Sequence, residues 1–108
     1  ALPVIGDSAL YATAAYLFDA LKRMAPDVEL GLVPGVSAHS LASSRAGRFL
    51  ALGSEPLSVI PGTAPLARIE AMLAAADSAV LYKPSALGEE LRSLVERSGP
   101  WRTILRID

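Results

Sequence analysis

The sequence predicts an α/β fold in which strands alternate with helices around a largely parallel sheet. Short apolar runs suit buried strands, and the longer stretches between them carry apolar residues at helical spacing. Glycine, proline, serine and aspartate stand at most of the junctions, where the chain has to turn. The predicted strands are 2–5, 28–33, 57–60, 78–82 and 101–107, and the predicted helices are 8–24, 38–46, 65–76 and 86–98.

Helical spacing and capping residues support each predicted helix. In the first helix apolar residues recur at intervals of four and three, which places them on one face. Ser37 suits the N-cap of the second helix and Gly47 its C-terminal cap, while Pro65 suits the first turn of the third. The residues predicted to face inward are Leu10, Ala14, Leu17, Leu21, Met24, Leu66, Ile69, Leu73, Ala76, Leu87, Leu91, Leu94 and Val95.

Composition excludes several classes of function. A formal charge of −1 with no block of lysine or arginine argues against nucleic acid as a partner. The absence of cysteine excludes disulfides, thiolate zinc sites and a cysteine nucleophile. The single histidine, His39, argues against a histidine-based metal site, and no apolar run is long enough to cross a bilayer. A reducing cytoplasm is the expected compartment.

Two junctions are candidates for a ligand site. Residues 6–8 (Gly-Asp-Ser) and 34–37 (Pro-Gly-Val-Ser) each connect a predicted strand to a helix. In open α/β sheets ligands bind at this edge, where unpaired helix amides favour electron-rich groups. An ordinary strand-to-helix turn also needs glycine and a capping residue, so Asp7 is equally interpreted as an N-cap.

A hydrolase is the first alternative to weigh. Ser37, His39 and Asp7 supply the residue types of a catalytic triad. Ser37 and His39 are two positions apart at a helix start, however, where they are not expected to face each other. Residues 34–38 also lack the second glycine of a nucleophile elbow, so we expect no triad.

Four motifs in order resemble the tetrapyrrole (corrin/porphyrin) methylases. Residues 6–13 are similar to the family pattern G-D-P-x-x-Y-(G/S)-(S/T), and residues 33–38 to V-P-G-(V/I)-(S/T)-(S/A). Residues 48–63 resemble R-P-L-A-L-G-x-E-x-L-x-V-(L/I)-P-(G/A)-T, the form found in the branch that acts on C20 of precorrin-2. Residues 76–83 echo A-D-x-x-V-x-(M/Y)-K. The resemblance therefore covers nearly all of the chain.

The resemblance implies two α/β domains with the active site in the cleft between them. Residues 1–47 would end the N-terminal domain and residues 48–108 would begin the C-terminal one, so the chain is expected to be an internal piece, inactive alone. The implied activity is methyl transfer from S-adenosylmethionine to precorrin-2 or its cobalt form, in a homodimer. The implied cofactor-binding residues are Gly6, Asp7, Leu10, Ser37, Ala38, Tyr82 and Lys83, and those toward the tetrapyrrole are Tyr11 and Arg45.

Departures from the family pattern leave two alternatives open. Ser8 stands where the pattern has proline, and residues 82–85 replace the commoner M-K-V-G-R-N. The opening G-x-G-P-G-D loop does not occur in the sequence. A methylase of another ring position or of sirohaem synthesis, or a non-catalytic α/β module, remains possible. No catalytic side chain is expected, because methyl transfer from a sulfonium needs alignment rather than a protein nucleophile.

Overall fold

A computed structural model describes residues 1–107, and the chain forms two compact units. Unit 1 is Ala1–Gly47 and unit 2 begins at Arg48. The assignment of these units to two methylase domains stays a prediction. The helices are α1 (Ala14–Met24), α2 (Ala38–Ala46), α3 (Leu66–Ala74) and α4 (Glu90–Ser98), with a 3₁₀ helix at Pro84–Leu87, and the strands are β1 (Leu57–Pro61) and β2 (Ser78–Tyr82).

The sheet of unit 2 confirms the predicted α/β class. β1 and β2 pair in parallel, from Leu57 opposite Ser78 to Pro61 opposite Tyr82. Parallel neighbours need a crossover connection, and α3 provides it. Both strands therefore end at the same edge of the sheet. The prediction of strands 57–60 and 78–82 is confirmed, the first extended by one residue.

The core of unit 2 joins β1 to α3 and α4. Ile60, Ile69 and Leu94 are fully buried and Leu73 is 6% exposed. Removing each such side chain from water contributes about 1.5–3 kcal/mol. Trp101 packs against this cluster, and its indole Nε1 donates to the Val95 carbonyl at 3.2 Å. Further contacts come from Ala64, Leu66, Met72, Ala79, Leu81 and Leu87.

Exposed ion pairs lie on the surface of α3 and α4. Arg97 donates to Glu70, which links the two helices, and Arg92 donates to Glu96 one turn along α4 at 2.9 Å. The hydrogen bond to the Glu96 carboxylate raises the pKa of Arg92, with the opposite charge adding to it. Pairs this exposed are screened by solvent and contribute little to stability, so the apolar cluster dominates.

In unit 1, the structure confirms helix 38–46 with both of its predicted caps. The Ser37 hydroxyl accepts from the Ser40 amide, and Gly47 adopts φ +61° while its amide donates to Ser43 and Ser44. A left-handed residue at this position satisfies the last carbonyls of a helix, and glycine reaches it without strain.

Three of the predicted strands are wrong. Residues 2–5, 28–33 and 101–107 have no strand pairing in the part of the chain that is described. An apolar run satisfies only the burial requirement of a strand, whereas the backbone must also find a neighbouring strand about 4.8 Å away. No described segment supplies that neighbour, and Ile5 and Val33 lie exposed.

The first predicted helix begins six residues late. It was expected over 8–24, but α1 starts at Ala14 because residues 7–10 fold into a turn and Tyr11 adopts φ +52°, which a right-handed helix cannot contain. Its apolar stripe is also not buried as predicted. Leu17, Leu21 and Met24 are 46%, 39% and 83% exposed, since the described residues offer them no covering layer.

The last two predicted helices are shortened. Pro65 precedes α3 instead of lying in its first turn, and the helix ends at Ala74 before Ala76. Helix 86–98 is divided at Gly88, whose φ of +55° and ψ of −129° are accessible essentially to glycine alone. A 3₁₀ turn precedes this break and α4 follows it.

The core makes a first prediction. Ile60→Val removes one methylene from a fully buried site and keeps the β-branched shape, so we expect unfolding free energy to fall by about 0.5–1.5 kcal/mol. Ile104→Val is the matched control, because Ile104 is 63% exposed, and it should change stability by less than about 0.5 kcal/mol. Urea unfolding measures both, and equal losses would contradict the core as described.

Candidate functional site

The first junction is a turn built on Asp7. Oδ1 of Asp7 accepts from the Ala9 amide at 3.0 Å, and the Asp7 carbonyl accepts from Leu10 at 3.4 Å. Asp7 therefore caps its own turn and is not the N-cap of α1, a position held by Thr13. The side chain folds back because aspartate readily bonds the backbone two residues on. This bond fixes the direction of the carboxylate.

The second junction lies directly against the first. A Cβ added to Gly35 would overlap the Gly6 carbonyl oxygen and lie 3.6 Å from Cα of Asp7. Gly6 itself adopts φ +86°, and a Cβ there would lie 3.7 Å from the Val36 carbonyl oxygen. The hydroxyl of Ser8 donates to the Val33 carbonyl at 2.7 Å. Two segments that are 25 or more residues apart thus meet backbone to backbone.

The side chains of Ser37, His39 and Ser40 form a polar cluster at the start of α2. Ser37, buried at 8% exposure, lies with its Oγ 3.1 Å from Nε2 of His39 and 2.8 Å from the hydroxyl of Ser40. The expectation that Ser37 and His39 would not face each other is wrong. As the N-cap, Ser37 is outside the helical repeat at ψ 151°, and its side chain turns back over the first turn. The helix cap already uses this hydroxyl, which favours a structural role.

Tyr11 has an uncommon backbone conformation. Its φ of +52° is rare for a bulky aromatic residue, and its side chain is 43% exposed. Left-handed backbone at a non-glycine residue costs about 1–2 kcal/mol, and such residues cluster at functional sites. Along the chain, Tyr11 stands between the Asp7 turn and the start of α1.

Unit 2 also contains a close backbone contact at a glycine, at the edge where β1 and β2 end. The Gly62 amide donates to the Tyr82 carbonyl at 2.6 Å, just beyond β1 and at the end of β2. A Cβ on Gly62 would lie 2.6 Å from the Lys83 carbonyl oxygen, so a side chain does not fit. Lys83 adopts φ +50° and is exposed, whereas Tyr82 is half-buried.

The predicted site residues fall into three places. Gly6, Asp7 and Leu10 belong to the turn that abuts the Gly35 junction, and Ser37 and Ala38 follow that junction directly. Tyr82 and Lys83 belong to unit 2. Arg45 is exposed in the last turn of α2, about 10 Å along the helix axis from Ala38. It is therefore separated from the α2 N-terminus that Ser37 caps.

Three residues that position the turns were not among the predicted site residues. Gly35 and Gly62 permit close backbone approach, and Ser8 joins the two junctions of unit 1. The sequence contains a partial signal, since both glycines follow proline at the end of a predicted strand. Ser8 has no such signal, because its partner is 25 positions away.

Neither a cluster of metal ligands nor a membrane-spanning helix occurs within residues 1–107. In this part of the chain no three histidine, cysteine, aspartate or glutamate side chains come together as a group that could hold a metal ion. Within the same residues no helix has the length and apolar character needed to cross a membrane.

The fold, the two apposed junctions and a family comparison define the class of this protein. The family model for tetrapyrrole (corrin/porphyrin) methylases matches residues 1–105. The chain belongs to the tetrapyrrole methylase family. The resemblance drawn from its four motifs is thereby confirmed.

The chain is also similar to individual proteins that carry names. The chain is 35% identical over 99 residues to cobalamin biosynthesis protein CobIJ of Mycobacterium tuberculosis, and equally to that of Mycobacterium bovis. It is 34% identical over 95 residues to cobalt-precorrin-2 C(20)-methyltransferase of Salmonella typhimurium. These matches cover 92% and 88% of the chain, but only 19% and 39% of the respective relatives. The chain thus spans a minor part of each.

The Ser37 cluster gives a second prediction. Ser37→Ala removes the α2 cap and its bonds to His39 and Ser40, so unfolding free energy should fall by about 1–2 kcal/mol. Ser37→Thr retains the hydroxyl and should restore most of the loss. Ser44→Ala is the control, at an exposed position inside the same helix, and should change stability little. Comparable losses at positions 37 and 44 would refute the cap.

Proposed function

We propose that this chain is part of an S-adenosylmethionine-dependent methyltransferase that modifies C20 of precorrin-2 or cobalt-precorrin-2 in cobalamin biosynthesis. The observation that carries the proposal is the backbone contact between the Gly6–Asp7 turn and the Gly35–Ser37 turn. These are the two motifs that resemble the cofactor-binding segments of the family. Their apposition makes one continuous surface of small residues.

The residues present fit the methionine part of the cofactor. Gly6 and Gly35 are exposed and let the two turns meet backbone to backbone beside the N-terminus of α2. Helix N-termini favour carboxylates, whereas the Asp7 carboxylate favours an ammonium group. A ligand that carries both groups, as an amino acid does, therefore matches this surface.

The chemistry requires positioning from these residues. When bound, S-adenosylmethionine would supply a methyl group on a sulfonium, whose sulfur leaves as a neutral thioether when an electron-rich carbon bonds to the methyl. The turns of unit 1 hold their ligand through backbone groups and a fixed carboxylate. Alignment of this kind can lower the activation barrier by up to about 7–11 kcal/mol.

The remaining predicted residues have supporting roles. Tyr11 would present its ring to the tetrapyrrole from beside the Asp7 turn, and Arg45 would meet one of its carboxylates. Tyr82 and Lys83 would contact the adenosine part from the edge of the β1–β2 sheet. Leu10 and Ala38 would line the cofactor with apolar surface. A cytoplasmic homodimer is the form that we expect for the complete protein.

The choice of C20 rests on two similarities. Residues 48–63 resemble the pattern of the C20 branch, and the Salmonella typhimurium relative is named a cobalt-precorrin-2 C(20)-methyltransferase. Incubation of the protein, as its gene encodes it, with methyl donor and either precorrin-2 or cobalt-precorrin-2 tests the choice. NMR should locate the new methyl group at C20. A methyl group elsewhere would favour a sister methylase, and cofactor binding without product would favour a non-catalytic module.

Asp7 provides a prediction for cofactor binding. Titration calorimetry with S-adenosylhomocysteine should show binding to the unsubstituted protein. Asp7→Asn keeps the oxygen that accepts from Ala9 but loses the charge, so affinity should fall roughly tenfold or more with the turn intact. Asp7→Ala should lose affinity and some stability together.

The matched control for Asp7 is Asp27→Asn, at an exposed aspartate of the same unit, which should bind as the unsubstituted protein does. No binding to the unsubstituted protein at millimolar ligand would sink the proposal. Full affinity in Asp7→Asn would remove the role of the charge alone.

Tyr11 gives a prediction that separates function from stability. Tyr11→Gly relieves the left-handed backbone, so stability should stay level or rise by up to about 1 kcal/mol. Methyl transfer should nevertheless fall, because the ring is lost. Tyr11→Phe keeps the ring and should retain most of the rate. A parallel loss of stability and activity in Tyr11→Gly would show that the residue is structural.

A further inference from the structure

The contacts between the two junctions of unit 1 point to a clamp that orders the proposed cofactor surface. We infer that Ser8 and Gly35 are positioning residues for cofactor binding, an inference that rests on the function proposed above. Neither residue needs to touch the ligand. Each acts by holding the Asp7 turn against the turn that leads into α2.

Ser8 supplies the attractive part of this clamp. Its hydroxyl donates to the Val33 carbonyl at 2.7 Å, an ideal length for such a bond, across 25 residues of sequence. Ser8 follows Asp7 directly, and Val33 precedes Pro34-Gly35. A proline at position 8, as in the family pattern, has no hydroxyl to donate. The serine therefore gives this chain a side-chain tie between the two turns.

Gly35 supplies the room that the clamp needs. Its φ lies outside the left-handed region, so an alanine there would carry no backbone penalty. The added Cβ would instead overlap the Gly6 carbonyl and push the Asp7 turn away. Gly31, four residues earlier, also has no left-handed φ, and a Cβ there would meet nothing within 4 Å. The two glycines therefore differ in what a Cβ would meet, and neither has a left-handed φ.

A ligand that bridges both turns would bind most tightly when they are already in contact. If the clamp loosens, fewer molecules present the competent arrangement, and apparent affinity falls by that fraction. The loss of one uncharged hydrogen bond corresponds to roughly two- to tenfold. Thr and Val have nearly the same shape, so replacing Ser8 by each isolates the hydroxyl.

The test is titration calorimetry with S-adenosylhomocysteine on the protein as its gene encodes it, with thermal unfolding of each variant alongside. Ser8→Val should raise the Kd roughly two- to tenfold, while Ser8→Thr keeps the original Kd at similar thermal stability. Gly35→Ala should raise the Kd roughly tenfold. Gly31→Ala should bind normally.

The outcomes separate the clamp from the proposed function. Binding to the unsubstituted protein with an unchanged Kd in Ser8→Val overturns the clamp alone. Equal losses in Ser8→Val and Ser8→Thr overturn it too, since the hydroxyl would then be irrelevant. Absence of binding to the unsubstituted protein overturns both proposals. If Gly35→Ala does not fold, the Ser8 pair still decides the question.

Discussion

Close contact between backbones at the ends of apolar segments is the constraint on which both candidate surfaces depend. Gly35 meets the Gly6 carbonyl in unit 1, and Gly62 meets the Lys83 carbonyl in unit 2. In each case a single Cβ would separate two turns that have to touch. In both units the absence of a side chain on the glycine therefore lets the backbones meet.

The two units differ in the interactions that stabilise them. The buried apolar residues of the described chain, Ile60, Ile69, Leu73 and Leu94, all belong to unit 2, where a parallel strand pair and two helices enclose them. Unit 1 is held by local hydrogen bonds, caps and the junction contact. The two apposed turns of unit 1 are therefore ordered by polar interactions, among them the hydrogen bond that Ser8 donates to Val33.

The sequence predicts helices and strands correctly where local signals decide the structure. Helix 38–46 was predicted to the residue because Ser37 and Gly47 mark both of its ends. Strands 57–60 and 78–82 were found because each provides the other's partner. The apolar runs 2–5 and 28–33 form no strands, because a strand needs a partner from another part of the sequence, which an apolar run does not reveal. Tyr11, at φ +52°, delays the start of a helix that spacing alone would begin at residue 8. The motifs located the two turns, but their contact depends on a glycine and a serine whose partners lie far along the chain.

The cluster at the start of α2 has a consequence for the direction of its hydrogen bonds. A serine hydroxyl has one donor and two acceptor positions, and at Ser37 one acceptor position serves the Ser40 amide. One of its other two partners must therefore donate while the other accepts. If Nε2 of His39 carries a proton, Ser37 points its own proton to the Ser40 hydroxyl. If Nε2 carries no proton, the Ser37 hydroxyl donates to Nε2 and the Ser40 hydroxyl donates to Ser37. The tautomer of one imidazole thus sets the polarity of three side chains beside the junction.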